Sequence, residues 1–509
     1  MRRRTIAAAL AVATAASLLI APQASAAPAQ KIQWQQCFAP GTPDLPPGGE
    51  RLECGSFTAP MDWNNPRNGK TITIAVSRLQ PKSGTAKQTI FTNPGGPGAP
   101  GVTLPLVYLD RPKLSDNAEI IGIDIRGTGA SSNVTCDGFD AEGVTDPRDR
   151  GRANLDLLYG SMKKQAELCQ ARSGELGRYV TTDQTVKDLD LLRQLLGKRK
   201  VSWLGYSGGT WVGAYYATYF PKSLDRIVLD SNVEFTAPWQ DSFDDWGMGF
   251  ERRFRTDFLP WVAKYDSTYH LGKTAEEVRQ SYERARVKLN KEPVTRPENV
   301  YNGVQLDLLL RAVMYRSKDF PLGAQIFAEL AGTAPATLKA QASYPDAANA
   351  TAYSLFCNDT KFRGDRRFLE RESATNGAKW PLVGYYQVMG PCAFWDRPDV
   401  HLKHPNGIGA PKTLMVQSVR DPATPLEGAR RAHKGFTNSV LLTVENEGDH
   451  GIYGVGTNSC VNDVVESYFI DGVTPAKDLT CQGVPLPAPD EAAPSPLENA
   501  RQLATHIRR

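Results

Sequence analysis

Residues 201–210 read Val-Ser-Trp-Leu-Gly-Tyr-Ser-Gly-Gly-Thr. An apolar run ends in Gly205-Tyr206-Ser207-Gly208-Gly209, and a helix-like segment, Trp211 to Tyr219, follows. A serine flanked by glycines on a sharp strand-to-helix turn is held in a strained conformation, with its hydroxyl raised above the sheet. In a chain with 44 glycines a bare Gly-x-Ser-x-Gly also arises by chance. The strand before it and the helix after it make Ser207 a candidate nucleophile rather than an ordinary turn serine. A serine hydroxyl is a poor nucleophile near neutral pH, so it needs a base within hydrogen-bond reach, and that base needs an orienting partner.

Six histidines could supply the base: 270, 401, 404, 433, 450 and 506. His450 sits in Glu447-Gly448-Asp449-His450-Gly451, just after the apolar run Ser439 to Val444. A histidine between glycines on such a loop has little packing reason to be there. His433 falls in an arginine-bearing surface helix, His270 in a long helical region and His506 in the tail. His401 and His404 have no third metal ligand nearby. The acid should follow the preceding strand, Thr413 to Gln417, whose exit loop holds Asp421-Pro422-Ala423-Thr424-Pro425. Asp421 would accept the second imidazole N–H and fix the tautomer. An Asp-Pro turn or a helix cap is its plainer alternative. Asp230 is the runner-up acid, and Asp449 lies too close in sequence to orient His450 easily.

A tetrahedral intermediate needs donors for its oxyanion. The Gly208 N–H, following the nucleophile, is one. The second should come from Asn93-Pro94-Gly95-Gly96-Pro97-Gly98, where adjacent glycines let backbone approach a carbonyl; Gly96 is the first choice and Gly95 the alternative. Arg126-Gly127-Thr128-Gly129 has glycines but no downstream dinucleotide-binding pattern.

Strands must bring these residues together. Apolar, β-branched runs occur at Thr71 to Leu79, Gln88 to Thr92, Glu119 to Asp124, Val201 to Leu204, Arg226 to Leu229, Thr413 to Gln417 and Ser439 to Val444. Short, nearly continuous apolar strands with helices between them imply an α/β fold with a mostly parallel sheet covered on both faces. Ligands bind beyond the carboxyl ends of such strands. The strand pattern stops at residues 236–410, which read as helices, with Thr274 to Lys291, Gln305 to Tyr315 and Leu322 to Ala331 the clearest. This predicts one hydrolase domain in two parts, 27–235 and 411–509, with 236–410 inserted as a cap over the site. The tail, Pro485 to Pro496, is proline-rich.

The first residues read as an export signal: Arg2, Arg3 and Arg4, an apolar run Ala7 to Ile20, and Ala24-Ser25-Ala26 for cleavage after Ala26. The run is short for a membrane anchor. Removing the leader takes the formal charge from +4 to +1, which gives no reason to expect nucleic acid or an acidic membrane as partner. All eight cysteines, 37, 54, 136, 169, 357, 392, 460 and 481, follow the leader. An even number in an oxidising compartment suggests disulfides, and pairing of sequence neighbours is the plainest choice among many.

The chain resembles secreted tripeptidyl aminopeptidases of the proline iminopeptidase-like branch of α/β-hydrolases. The resemblance rests on Asn93 to Gly98, on Asp124-Ile125-Arg126-Gly127-Thr128-Gly129-Ala130-Ser131, on Gly205 to Thr210, on Arg420 to Pro425 and on Gly448 to Gly451. Pro94 stands where many relatives carry a histidine. The resemblance implies Ser207 as nucleophile, Asp421 as acid and His450 as base, and release of tripeptides, or tetrapeptides ending in proline, from free amino termini. It implies no cofactor or metal. Such an enzyme must bind the substrate ammonium at a fixed distance from the nucleophile, and Glu234, Asp241, Asp244 and Asp245 at the start of the helical region are candidates. The rival readings are an esterase or amidase acting on small acyl compounds, and a binding protein that kept the fold and lost the chemistry.

Overall fold

The apolar runs become strands; the run Thr71 to Leu79 keeps its bounds, the run Glu119 to Asp124 is shifted by one residue, and the other five strands are one to three residues longer than their runs. The structure, a computed structural model, describes residues 30–296, 299–335, 345–491 and 496–507. The leader expected at residues 1–26 lies outside the described residues. In chain order the strands are β1 (Gln35–Gln36), β2 (Leu52–Pro60), β3 (Thr71–Leu79), β4 (Gln88–Asn93), β5 (Ala118–Ile123), β6 (Val201–Tyr206), β7 (Leu224–Asp230), β8 (Val294–Arg296), β9 (Asn299–Tyr301), β10 (Thr413–Ser418), β11 (Ser439–Glu445) and β12 (Leu479–Gln482).

Ten of them form one sheet in the order β1-β2-β3-β5-β4-β6-β7-β10-β11-β12. Pairing is antiparallel from β1 to β5 across β2 and β3, and parallel from β5 to β12. With helices and tight turns this is the α/β-hydrolase fold expected from the sequence. Neighbouring residues of one strand pack into different layers, Ile90 on one face and Phe91 on the other, because side chains alternate along a strand. Burial on both faces explains why the central strands read as unbroken apolar runs.

The strand order reverses between β4 and β6, and the polar residues gather at the carboxyl ends beside that switch point. Register lines them up: Asn93 lies opposite Gly205, Tyr206 opposite Asp230, and Asp230 opposite Val416.

Between β7 and β10 the chain forms helices, among them Trp246–Arg253, Ala275–Lys291, Gly303–Val313, Phe320–Ala331 and Asp346–Asp359, together with the small β8–β9 pair. Ala275–Lys291 shows why the sequence folds this way. Thr274 caps it by accepting the Glu277 N–H, and Glu277 accepts the Lys273 N–H in return. Its residues Val278, Tyr282, Ala285 and Leu289 recur at helical spacing and are buried. They join Phe250, Phe254 and Phe258 in a separate apolar core for this helical segment. Among the described residues, no helix is long and apolar enough to cross a membrane.

Four disulfides join each cysteine to its neighbour in sequence: Cys37–Cys54, Cys136–Cys169, Cys357–Cys392 and Cys460–Cys481.

Candidate active site

Ser207 stands between β6 and the helix Gly208–Tyr219, as its N-cap, with φ 53° and ψ −123°, a left-handed conformation that non-glycine residues rarely hold. The turn survives because its neighbours over-determine it. The Ser207 N–H donates to the Asp230 carbonyl at 3.0 Å, and the Ser207 carbonyl accepts the Thr210 N–H at 2.8 Å and its hydroxyl at 2.6 Å. The glycines on either side permit the close packing: a Cβ on Gly209 would come within 2.7 Å of the Asn93 carbonyl, and one on Gly205 would strike the Gly209 carbonyl. Beneath the turn the fully buried Trp203 donates its indole N–H to that Gly209 carbonyl at 3.2 Å.

His450 and Asp421 are in direct contact. The His450 Nδ1–H donates to both carboxylate oxygens of Asp421, at 3.0 Å each, and this leaves Nε2 as the nitrogen turned to other work. Asp421 is fully buried, and the Ala423 N–H, the Thr424 N–H and the Thr424 hydroxyl each donate to it at 2.9 Å. The Asp-Pro loop therefore builds a cradle of donors around one carboxylate rather than a simple turn. Thr424 was not singled out from sequence, although its position three residues after the acid is the signal that could have found it.

The loop that carries His450 is tied to the Ser207 turn from below. Asp421 and not Asp230, the alternative acid, is the carboxylate hydrogen-bonded to His450; Asp230 Oδ2 accepts the N–H groups of Ile452 and Tyr453 at 3.0 and 2.7 Å. Burial pushes its carboxyl up to about 6. Next to it, the Ser231 hydroxyl accepts the Gly451 N–H at 2.7 Å, and the Tyr206 hydroxyl donates to the Tyr453 carbonyl at 2.7 Å. The residues flanking Ser207 and those flanking His450 are thus neighbours. The Ser207 hydroxyl itself makes no hydrogen bond among the described residues; catalytic hydrogen bonds are commonly long before substrate binds.

The glycine loop after β4 lies against the same turn. Asn93 Oδ1 accepts the Gly95 N–H at 2.9 Å, which engages the alternative donor of this loop. A Cβ on Gly208 would come within 2.9 Å of the Pro97 nitrogen, so the two segments that carry the expected oxyanion donors are in contact. The Asp124–Ser131 motif supports this loop. Asp124 accepts the N–H groups of Gly101, Val102 and Ala130 at 2.7 to 2.9 Å, and the Thr128 hydroxyl donates to the Gly98 carbonyl at 2.6 Å. Arg126 is fully buried in a two-point pair with Asp188 at 2.7 Å, so this glycine-bearing segment is scaffolding.

The four acids suggested for ammonium binding lie in two pairs, each linked by one arginine, and are mostly engaged. Glu234 and Asp245 share Arg431, at 2.7 and 2.6 Å, and Asp241 pairs with Arg363. Asp244 lies 3.9 Å from Arg363 with its side chain 58% exposed. It rims a cleft that Phe243, Trp246, Phe368, Glu372 and Tyr386 also line. Ring contacts at 5.3 to 5.4 Å connect that cleft with the base: Trp246 with Phe250, Phe250 with Tyr315, and Tyr315 with His450.

Comparison with known proteins places these features in a wider group. A family model described as TAP-like protein matches residues 380–481, the stretch that contains Asp421 and His450. A tripeptidyl aminopeptidase of Streptomyces lividans is 33% identical over 485 residues, covering 90% of this chain and 88% of that protein. Serine protease Hip1 of Mycobacterium tuberculosis is 27% identical over 488 residues, covering 89% of this chain and 91% of that protein. A carboxylesterase B of the same species is 25% identical over 515 residues, with 91% of each chain covered.

Proposed function

Because the chain belongs to the tripeptidyl aminopeptidase family and is a serine hydrolase, we propose that it releases tripeptides or tetrapeptides from free amino termini through an acyl-enzyme. Ser207 attacks the scissile carbonyl while His450 takes its proton through Nε2, with Asp421 holding the imidazole. The N–H groups of Gly96 and Gly208 receive the oxyanion. His450 then protonates the leaving amine, and water releases the acyl group by the reverse sequence. The observation that carries this reading is the buried Asp421–His450 pair beside the strained turn at Ser207.

The helical segment after β7 is the cap that limits the acyl side of the cleft. Among the four acids, Asp244 is favoured to receive the substrate ammonium, because it rims an aromatic cleft and only a distant arginine attends it, whereas the other three are held closely by arginines. It acts outside the cell, exported by the leader expected at residues 1–26; four disulfides support this.

Two measurements test the proposal. A fluorophosphonate probe should label the wild type and spare Ser207→Ala. Free tripeptide anilides should be cleaved far faster than their N-acetylated forms. Equal rates on the two would favour the esterase or amidase reading, which the carboxylesterase relative keeps in view.

A further inference from the structure

We propose that Asp449 is a positioning residue through which the helical segment sets the orientation of His450. The inference rests on the reading of His450 as general base, and it gives the Gly448-Asp449-His450 run a reason that the triad alone does not.

Three consecutive residues of the base loop are held from above. Gly448 is bare because Arg253, on the helix Trp246–Arg253, lies against it; any Cβ there would run into the guanidinium. Asp449 takes a hydrogen bond from Arg253 Nη2 at 2.5 Å on one side. From the corner after the helix Gly303–Val313 it takes the Ser317 N–H at 2.7 Å and the Ser317 hydroxyl at 3.1 Å. The His450 N–H donates to the Tyr315 carbonyl at 2.8 Å, and the Tyr315 ring meets the imidazole edge-on at 5.3 Å. Below, the Ser418 hydroxyl donates to the Asp449 carbonyl at 2.6 Å.

Arg253 is fully buried, pairs also with Asp257, and stacks over Phe320 at 5.1 Å, so its guanidinium is a fixed point. A carboxylate bridging a fixed guanidinium and a backbone N–H is a strong, directional tether. The Asp421 contact does not replace it. Both carboxylate oxygens lie 3.0 Å from one imidazole nitrogen, which anchors the ring at a single atom and leaves it free to pivot there. The backbone on the other side of the ring decides where Nε2 points. Strand-end residues Ser418 and Ser231 hold that backbone from below, and residues 253, 315 and 317, all from the segment that would close over substrate, hold it from above.

The test uses the full chain and a free tripeptide anilide, with rates expressed per folded molecule from the unfolding transition. Asp449→Ala should lower kcat about thirtyfold with KM within about threefold, the signature of a displaced base. Asp449→Asn keeps an acceptor for Ser317 and should recover most of the rate, ending about three- to tenfold below wild type. A purely structural role would lower the unfolding temperature and leave kcat per folded molecule unchanged. Wild-type kcat in Asp449→Ala, or a loss carried by KM alone, overturns the inference; if Asp449→Ala does not fold, wild-type kcat in Asp449→Asn does so. His450→Ala separates the two levels. Activity retained there removes the base itself, whereas an inactive His450→Ala beside unaffected Asp449 variants removes only the tether.

Discussion

Asp230 and Tyr453 are joined by a 2.7 Å hydrogen bond, from the Tyr453 N–H to a carboxylate that water does not reach. That bond makes the end of β7 the floor of the base loop, in the place where sequence alone offered a second candidate acid.

The first prediction concerns that carboxylate. Burial pushes it up to about 6 from an ordinary 3.8, against the opposing pull of the Tyr453 and Ile452 N–H groups. A folded-state value above the unfolded one means that the folded protein holds the proton more tightly. The stability Asp230 contributes is therefore full below about pH 3.8 and lost as pH rises through about 6. Asp230→Asn cannot ionise. Urea unfolding should show the wild type losing roughly 2 to 3 kcal/mol relative to this variant between about pH 4 and 7. A pH-independent difference would contradict it.

A second prediction follows from the Asp421 cradle. Asp421→Asn keeps the shape but disturbs the tautomer that Nδ1–H donation enforces, so kcat should fall by about four orders of magnitude with the fold intact. Circular dichroism and fluorophosphonate labelling rates measure the two parts separately.

The loop after β4 gives a third. Asn93→Ala releases the Gly95 N–H that its side chain now holds at 2.9 Å. The glycine loop then loses its set, and kcat should drop about tenfold to a hundredfold while unfolding temperature changes little. An unchanged kcat would mean that this loop does not supply an oxyanion donor.

Trp203 gives a fourth. Its indole fills the space under the turn and bonds the Gly209 carbonyl. Trp203→Ala should cost about 3 to 5 kcal/mol in chemical denaturation. Trp203→Phe should recover much of that stability without the hydrogen bond, and its remaining loss should be mainly in kcat.

Much of this was legible in the chain because the central strands are buried on both faces. Val201–Tyr206 and Thr413–Ser418, buried at every position, stand out as apolar runs, and the turn at Ser207 is marked by its glycines. β2 escaped notice because Leu52–Pro60 alternates buried and exposed residues beside polar and glycine positions, as suits an antiparallel strand far from the centre. β12, Leu479–Gln482, is too short and polar to register. Pairing of the acids was hidden for a different reason. Arg431 and Arg363 lie more than 100 residues from Glu234 and Asp241, and no local pattern announces such partners. The same distance hid Arg253 and Ser317 from Asp449, 196 and 132 residues apart. A residue adjacent to the candidate base reads as filler until the fold brings its contacts to it.

The disulfide wiring has a consequence for biogenesis. Every bridge closes between successive cysteines, across 17 to 35 residues, and no bridge encloses or crosses another. A polypeptide threaded out amino end first meets each thiol's correct mate as the very next one to emerge. Oxidation in order of arrival would therefore yield the native set without rearrangement.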